Sequence, residues 1–408
     1  MRAEEKGAEG FELDFTAPAF LDDPYPAYHA LRAHDPVYLS PWGDWYLTRH
    51  ADVAAVLTDK RFQRESPGGA NPMSADLREP TVIDRMLSRW MVFIDPPAHT
   101  RLRRLVGKAF TPKLMAAMRS DIGVIAGQLL DAALVHDAFD VIADFAYPLP
   151  VIVVSRILGV PEEDYGRLKD WSGQLTGALD SGEAGELAGG IRASEELLAY
   201  MAALVARRRR APREDLISAM LADGDGSGDA LSEEELLANC VFLLWAGHET
   251  TKNLIGNGVL SLIRNPDEFA RLAADPPLME SAVDEFLRYE SPIQKIGRWT
   301  REEVEVAGRR IPAGRYVVSL FGAANRDPLQ FPQPDRLDLG RHHGASLAFG
   351  KGIHHCLGYG LAKLEGEIAL AALLERVSAL ELCGGAPQWQ ANTSIRGLKR
   401  LPVAVRRR

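Results

Sequence analysis

The amino-acid sequence predicts a mainly helical fold of the α+β class, carried by one large domain. Three observations lead there. Apolar residues recur at three- and four-residue spacing through most of the 408 residues, the period of an amphipathic helix. Alternating apolar and polar runs, the mark of half-buried strands, are few and short. No internal repeat and no linker divides the chain, although its length would hold roughly two or three domains of ordinary size.

Pro24-Tyr25-Pro26 leads into a short helix over Ala27 to Ala33, followed by strands at Val37 to Leu39 and Trp45 to Thr48 and a helix from Ala51 to Thr58. From Arg64 to Arg89 the periodicity weakens around Pro67-Gly68-Gly69 and Asn71-Pro72. That stretch reads as a long loop, of the kind that often serves as a lid. Helical patterns resume after Pro97 and continue, with turns, to Leu221. A long apolar helix is expected from Leu231 to Ile263, started by a capping box of Ser232 and Glu235 and followed by Pro266. A helix spans Leu278 to Tyr289, and strands at Val304 to Val306 and Tyr316 to Ser319 flank the turn Pro312-Ala313-Gly314. An irregular Pro-rich stretch runs from Asn325 to Gly340, and a last helix from Gly358 to Val377.

The composition is that of an ordinary globular protein, 46% apolar and 25% charged, with a net charge of −9. Phosphate binding wants a basic field, so nucleic acid is not the expected partner. Three cysteines, Cys240, Cys356 and Cys383, give no close pair and no disulfide framework, which fits a reducing cytoplasm. Met1 to Gly10 is acidic and polar, without the apolar core of a signal peptide. No run approaches the roughly 18–20 apolar residues of a membrane span, so no membrane is expected. Residues 1–15 read as a flexible N-terminal arm and residues 16–408 as the domain.

The most informative segment is Phe349 to Gly358, FGKGIHHCLG. Gly350 and Gly352 allow backbone angles closed to other residues and a close approach to a flat ligand. Gly358 opens an apolar helix, so Cys356 precedes a helix N-terminus whose N–H groups favour a thiolate. A thiolate binds iron, and as an axial haem ligand it pushes electron density that favours O–O cleavage. The segment resembles the haem-binding signature of the cytochrome P-450 superfamily, in which Phe, Gly, Gly, His, Cys and Gly hold these relative places. The resemblance covers Leu21 to Val405 in order. It implies the triangular, mainly helical cytochrome P-450 fold with a smaller β-rich region, haem b as cofactor, and Cys356 as the iron ligand.

Further motifs take their roles from the same resemblance. Glu285 and Arg288, at i, i+3, are implied to support the haem core together with Arg336 from the meander Asn325-Arg326-Asp327-Pro328 and Pro334-Asp335-Arg336. Ala246-Gly247-His248-Glu249-Thr250-Thr251 is similar to the oxygen-activation motif: Ala246 and Gly247 let haem and O2 approach the helix, and Glu249 and Thr250 take the acid and hydroxyl places. A Thr hydroxyl can bond the carbonyl one turn back. Splitting O2 needs two protons delivered in sequence, which an acid and a hydroxyl can relay. Asp95-Pro96-Pro97-Ala98-His99-Thr100-Arg101-Leu102-Arg103 puts His99 and Arg103 on one helical face, and the family assigns them to haem propionates with Arg298 and His354. Lys363 and Trp245 depart from the pattern, where relatives often carry Arg and a smaller aliphatic residue.

The reaction so implied is insertion of one oxygen atom from O2 into a hydrophobic small molecule, by hydroxylation or epoxidation, in natural-product biosynthesis. Electrons from NAD(P)H are expected through a ferredoxin and ferredoxin reductase, docking on Arg101, Arg104, Lys108, Lys113 and Lys351 of a monomeric protein. The substrate pocket is expected from Trp90, Met91, Val92, Phe242, Trp245, Ile293, Gln294 and Ile395, with Trp245 narrowing the space above the haem. A peroxide-using haem-thiolate enzyme and a non-catalytic haem sensor stand as alternatives, and Glu249-Thr250 favours O2 activation over both. Asp223 to Gly228 with Glu234 has the spacing of a calcium loop, yet Asp and Gly are ordinary turn formers. Arg207 to Arg210 and Arg406 to Arg408 read as a solvated helix end and a tail.

Overall fold

In the computed structural model, which describes residues 14–67, 80–107, 110, 112–181, 184–222, 230–341 and 346–408, helices dominate. The chain opens with α1 (Pro18–Asp22), α2 (Tyr25–His34) and α3 (His50–Thr58), followed by α4 (Val82–Leu87) and α5 (Ala98–Gly107). The helical middle is α6 (Pro112–Ala133), α7 (Pro148–Leu158), α8 (Tyr165–Ser181), α9 (Ala184–Arg210) and α10 (Leu216–Ala222). Then come α11 (Glu233–Arg264), α12 (Pro266–Ala274), α13 (Met279–Tyr289), α14 (Phe321–Ala324) and α15 (Tyr359–Arg376).

The central element is α11. Ser232 caps it: its hydroxyl accepts from the Glu235 N–H at 3.2 Å, and the Glu235 carboxylate accepts from the Ser232 N–H at 2.9 Å. From Thr251 to Leu262 every side chain is buried, because α7, α9, α13 and α15 surround the helix. Lys252 and Asn257 on this stretch are buried with partners: Lys252 meets Glu249, and Asn257 donates to the Glu290 and Arg396 carbonyls. The sequence expectation of one long loop from Arg64 to Arg89 fails at α4. There Thr81 and Asp84 form a capping box that starts a short helix. Asp in the place usual for Glu or Gln hid the signal.

A second correction concerns apolar length. Val141–Leu158, a π-type turn running into α7, is apolar and long enough to cross a membrane by length and composition. It lies 67% buried inside the protein, packed as a core helix through residues such as Leu149, Val153 and Ile157.

The strands are β1 (Val37–Leu39), β2 (Trp45–Leu47), β3 (Phe62–Gln63), β4 (Ala138–Asp140), β5 (Lys295–Thr300), β6 (Val304–Val306), β7 (Arg309–Ile311), β8 (Tyr316–Leu320), β9 (Val377–Leu382), β10 (Gln388–Trp389), β11 (Leu398–Arg400) and β12 (Pro402–Arg407). The largest sheet has the order β1-β2-β8-β5-β3, with β2 and β8 parallel. In it Arg298 of β5 stands opposite Val317 of β8. The order β4-β12-β9 makes a second sheet, and β10-β11 and β6-β7 pair by themselves. Strands β3, β4, β5, β7 and β9 to β12 had no expectation in the sequence. All are short; β3, β4, β5 and β12 pair with segments distant in the chain, β9 follows a helix that masks it, and β7 is the hairpin partner of β6. Residues 1–13 lie outside the described set, and Phe15, in the expected arm, stacks on Tyr46 at 5.2 Å. An aromatic ring gains by burial even at a chain end. The calcium-like loop at Asp223 to Gly228 lies outside the described residues, and Glu234 is ion-paired with Arg89.

Candidate active site

The cysteine loop is held by its own backbone. The Cys356 N–H donates to the Phe349 carbonyl at 2.9 Å, and the Gly350 N–H to the Leu347 carbonyl at 2.8 Å. Gly350 and Gly352 take φ of 69° and 73°, the left-handed region that favours glycine. A Cβ on Gly352 would also come within 2.5 Å of the Leu57 carbonyl oxygen at the end of α3. Gly358 caps α15, and its N–H hydrogen-bonds Cys356. Burial pushes the Cys356 thiol up, while the Gly358 N–H and the Arg103 guanidinium pull it down. The helix start thus favours the thiolate, as expected, while burial opposes it.

Beside the loop, three elements converge. Helix α5 supplies His99 and Arg103 one turn apart, β5 supplies Arg298, and the cysteine loop supplies His354. The rings of His99 and His354 stand 4.2 Å apart. Burial, then the charges of His99, Arg298, Arg64 and Arg103, push His354 down to about 2. Burial and then Arg64 push Arg298 down to about 10. The His99 Nδ1, His354 Nε2 and Arg298 Nε atoms are buried without a hydrogen-bond partner among the described residues. Asp95 is the carboxylate acting on His99, Arg64 and Arg298, so three guanidiniums including Arg103 leave an excess of positive charge. Unsatisfied donors and surplus cations are costly when buried unless an anion meets them. The cradle thus fits the anionic groups of a ligand, with the Cys356 sulfur two residues from His354.

On α11, the Thr250 hydroxyl donates to the Ala246 carbonyl at 3.2 Å, as the sequence suggested. The Glu249 carboxylate is buried and ion-paired with Lys252. His248 is buried too: its Nδ1 bonds the Leu244 carbonyl at 2.7 Å, and its Nε2 faces the Ser172 hydroxyl at 3.3 Å. Gly247 departs from its expected place. A Cβ there would meet Val154 of α7 at 2.9 Å, so its bare Cα serves helix packing rather than the ligand face. One residue along a helix turns the side chain by about 100°, which separates Gly247 from Ala246 and Thr250.

A family model described as Cytochrome P450 matches residues 191–399. A vitamin D(3) 25-hydroxylase from Pseudonocardia autotrophica is 40% identical over 398 residues, 96% of this chain and 96% of that protein. The chain belongs to the cytochrome P450 family. The cytochrome P450 monooxygenase PikC of Streptomyces venezuelae is 39% identical, over 95% of this chain and 92% of its own. The crystal structure of CalO2 matches with a TM-score of 0.90 at 38% identity, covering 97% of this chain and 98% of that one. This cytochrome P450 is an oxygen-incorporating oxidoreductase that uses haem iron and O2, with redox partners and hydrophobic substrates.

Behind the cysteine loop of this cytochrome P450, Glu285 and Arg288 are fully buried and joined by two hydrogen bonds of 2.7 and 2.8 Å. Arg288 also donates to the carbonyls of Asn325 and Pro334. Arg336 is not the third cation. Its side chain is exposed, and its carbonyl accepts from Arg288 and Arg341. Arg341 reaches the Glu285 carboxylate at 3.2 Å. The meander offers its carbonyls to Arg288, which turns Arg336 outward and brings in the residue five places later. Lys363, in the place where Arg was expected, pairs with Asp284 at 3.0 Å.

Of the expected pocket wall, Trp90, Phe242 and Trp245 form an aromatic group, with Trp90 5.0 Å from Phe242 and 5.3 Å from Trp245. Met91 is buried and Val92 half-buried next to them. The Trp245 Nε1–H donates to Thr176 of α8 at 2.9 Å. Ile293 and Ile395 pair across an isolated bridge. Gln294 is not wall. Its amide accepts from Tyr28 at 3.1 Å and donates to the Ser291 carbonyl at 2.8 Å, against α2. Neighbours in an extended segment face opposite ways, so placing Ile293 with Ile395 turns Gln294 away. Arg101 is likewise committed, to Glu235 and the Ala230 carbonyl at the start of α11. Arg64, Lys252, Thr176 and Asn253 also belong to this region, without an expectation from the sequence. Lys252 had a signal, its i, i+3 spacing from Glu249. Both polar atoms of the Asn253 side chain are buried without a partner among the described residues, one turn past Thr250.

Proposed function

We propose that this cytochrome P450 holds haem b through the Cys356 sulfur and inserts one oxygen atom from O2 into a C–H or C=C bond of a hydrophobic natural product. The observation that carries the reading is the set of buried donors on His99, Arg298 and His354 without a partner among the described residues, with the two imidazole rings 4.2 Å apart and His354 two residues from Cys356. His99, Arg298 and His354 offer those donors to the two propionates, Arg103 adds its charge, and Phe349, Gly350 and Gly358 shape the thiol side. When bound, the haem iron supplies the activation of O2 and the transfer of oxygen.

The chain's own residues do the rest. Ala246 leaves room above the ring face. The Thr250 hydroxyl, tied to the Ala246 carbonyl, keeps its lone pairs free to accept a hydrogen bond and relay a proton. Glu249 is the buried acid that passes protons toward it after parting from Lys252. Trp90, Met91, Val92, Phe242, Trp245, Ile293 and Ile395 keep water from the substrate. The relative named for vitamin D(3) hydroxylation supports an apolar substrate of similar bulk. Electrons come from NAD(P)H through a ferredoxin and its reductase. Arg104 and Lys351, exposed near the cysteine loop, support an acidic partner, while Lys108 and the Lys113 side chain lie outside the described residues. Free Cys240, Cys356 and Cys383 accord with a reducing cytoplasm.

The test is the absorption spectrum of the purified, reduced protein under carbon monoxide. A thiolate-type band that disappears in Cys356→Ala is expected. An unchanged band in that variant sinks the assignment. Peroxide-driven turnover that exceeds turnover with NAD(P)H and partner proteins would transfer the protein to the peroxide-using class.

A further inference from the structure

Arg64 follows β3 in a stretch with no sequence signal, yet it ties three parts of the site together. Its backbone N–H donates to the Asp95 carboxylate, at 2.9 Å to Oδ2, and the Glu65 N–H donates to the same oxygen at 2.9 Å. The Asp95 N–H returns a bond to the Glu65 carboxylate at 3.0 Å. The Arg64 Nε–H donates to the Val92 carbonyl at 2.9 Å, and its Nη1 donates to the Gly297 carbonyl of β5. The guanidinium also lies over the Phe93 ring, 5.1 Å from its centre. One side chain therefore bridges the Trp90–Phe93 wall to the strand that carries Arg298, next in sequence to Gly297.

The geometry points to Arg64 as a positioning residue: its guanidinium fixes the pocket wall at 90–95 against β5, and so sets both the shape of the substrate pocket and the place of Arg298. This rests on the proposed reading of the site only for its functional consequence; the clasp itself is a property of the folded chain. Arg suits the task because its planar fork donates in two directions at once, to Val92 and to Gly297. A lysine ammonium on its flexible stem lacks that fork and holds one carbonyl well at a time. The wall has few ladder hydrogen bonds of its own. Its turn at Met91–Phe93 is a single short one, and the Met91 N–H is satisfied by the Asn239 side chain at 3.2 Å. Without Arg64 the Val92 carbonyl loses its donor, and the segment opens more often.

Hydrogen exchange of the haem-loaded full-length protein tests this, read on peptides covering residues 90–95. Arg64→Ala is expected to speed exchange there by about tenfold or more, with peptides from α11 and α15 unchanged, and Arg64→Lys to fall between. The carbonyl spectrum should persist in both variants. Substrate KM should rise several-fold, with kcat changed much less. Exchange at 90–95 equal to wild type in Arg64→Ala overturns the proposal. If Arg64→Ala exchanges fast throughout the chain, Arg64→Lys decides. Local acceleration supports the clasp, and wild-type protection sinks it. A protein that shows the clasp but never binds haem would instead count against the proposed function.

Discussion

Lys252 donates to the Glu249 carboxylate from one turn further along α11, and both side chains are buried. The Lys252 ammonium also lies over the Tyr147 ring at 5.6 Å. The acid proposed to deliver protons is thus stored beside a cation inside the protein. Removing one partner of such a pair leaves an uncompensated buried charge, which costs about 3–5 kcal/mol. Lys252→Met should lower stability by that order in denaturant unfolding. Glu249→Gln with Lys252→Met should cost clearly less than the two single losses added. Additive losses would show that the pair is not coupled.

Thr250→Ala and Glu249→Ala should separate electron use from oxygenation. Product formed per NAD(P)H consumed should fall about tenfold or more, with peroxide or water taking the balance, while the carbonyl spectrum stays. Simultaneous assay of NAD(P)H, product and peroxide checks this. Full coupling in either variant removes that residue from the relay.

The exchange of Arg336 for Arg341 gives a sharp contrast. Arg341→Ala takes a charged donor from the buried Glu285 carboxylate and should cost about 1–3 kcal/mol. Arg336→Ala, at an exposed side chain, should stay within about 0.5 kcal/mol. Thermal unfolding of the two haem-loaded variants distinguishes them.

Burial, opposed by Glu249, holds His248 below its ordinary value of 6.5. Below that pH the unfolded chain takes up a proton that the folded His248 refuses. Its contribution to stability is therefore complete above the ordinary value and is lost as pH falls, at up to about 1.4 kcal/mol per pH unit. His248→Asn should remove this slope, so that the stability difference between the two proteins changes with pH between about 6.5 and the lowered folded value. Parallel stability curves for the two proteins over that range would contradict this.

Trp245 is tied to Thr176 of α8, so its indole cannot turn freely. Trp245→Phe and Thr176→Val both remove that bond, and each should change product regioselectivity. Gln294→Leu should lower stability and leave the product ratio alone, because the amide serves Tyr28. Product analysis with one accepted substrate covers all three variants.

Helix period and punctuation made most of the architecture legible in the sequence. Ser232 and Glu235 marked the start of α11, and Pro266 its end, to within two residues. The cysteine loop could be read because its glycines and Cys356 answer to local backbone geometry: positive φ at Gly350 and Gly352, and a helix start at Gly358. What stayed hidden depended on distant partners. Gly247 faces Val154 rather than the ligand side, Gln294 faces Tyr28, Arg341 rather than Arg336 reaches Glu285, and Arg64 joins Val92 to Gly297. The sequence by itself determined the long helices, and which sulfur stands at a helix start, because both follow from neighbours a few residues away. Only the tertiary structure decided which cations meet, which acid is paired and which side chain is wall. Contacts across tens or hundreds of residues are chosen by packing, and a linear pattern carries no record of that choice.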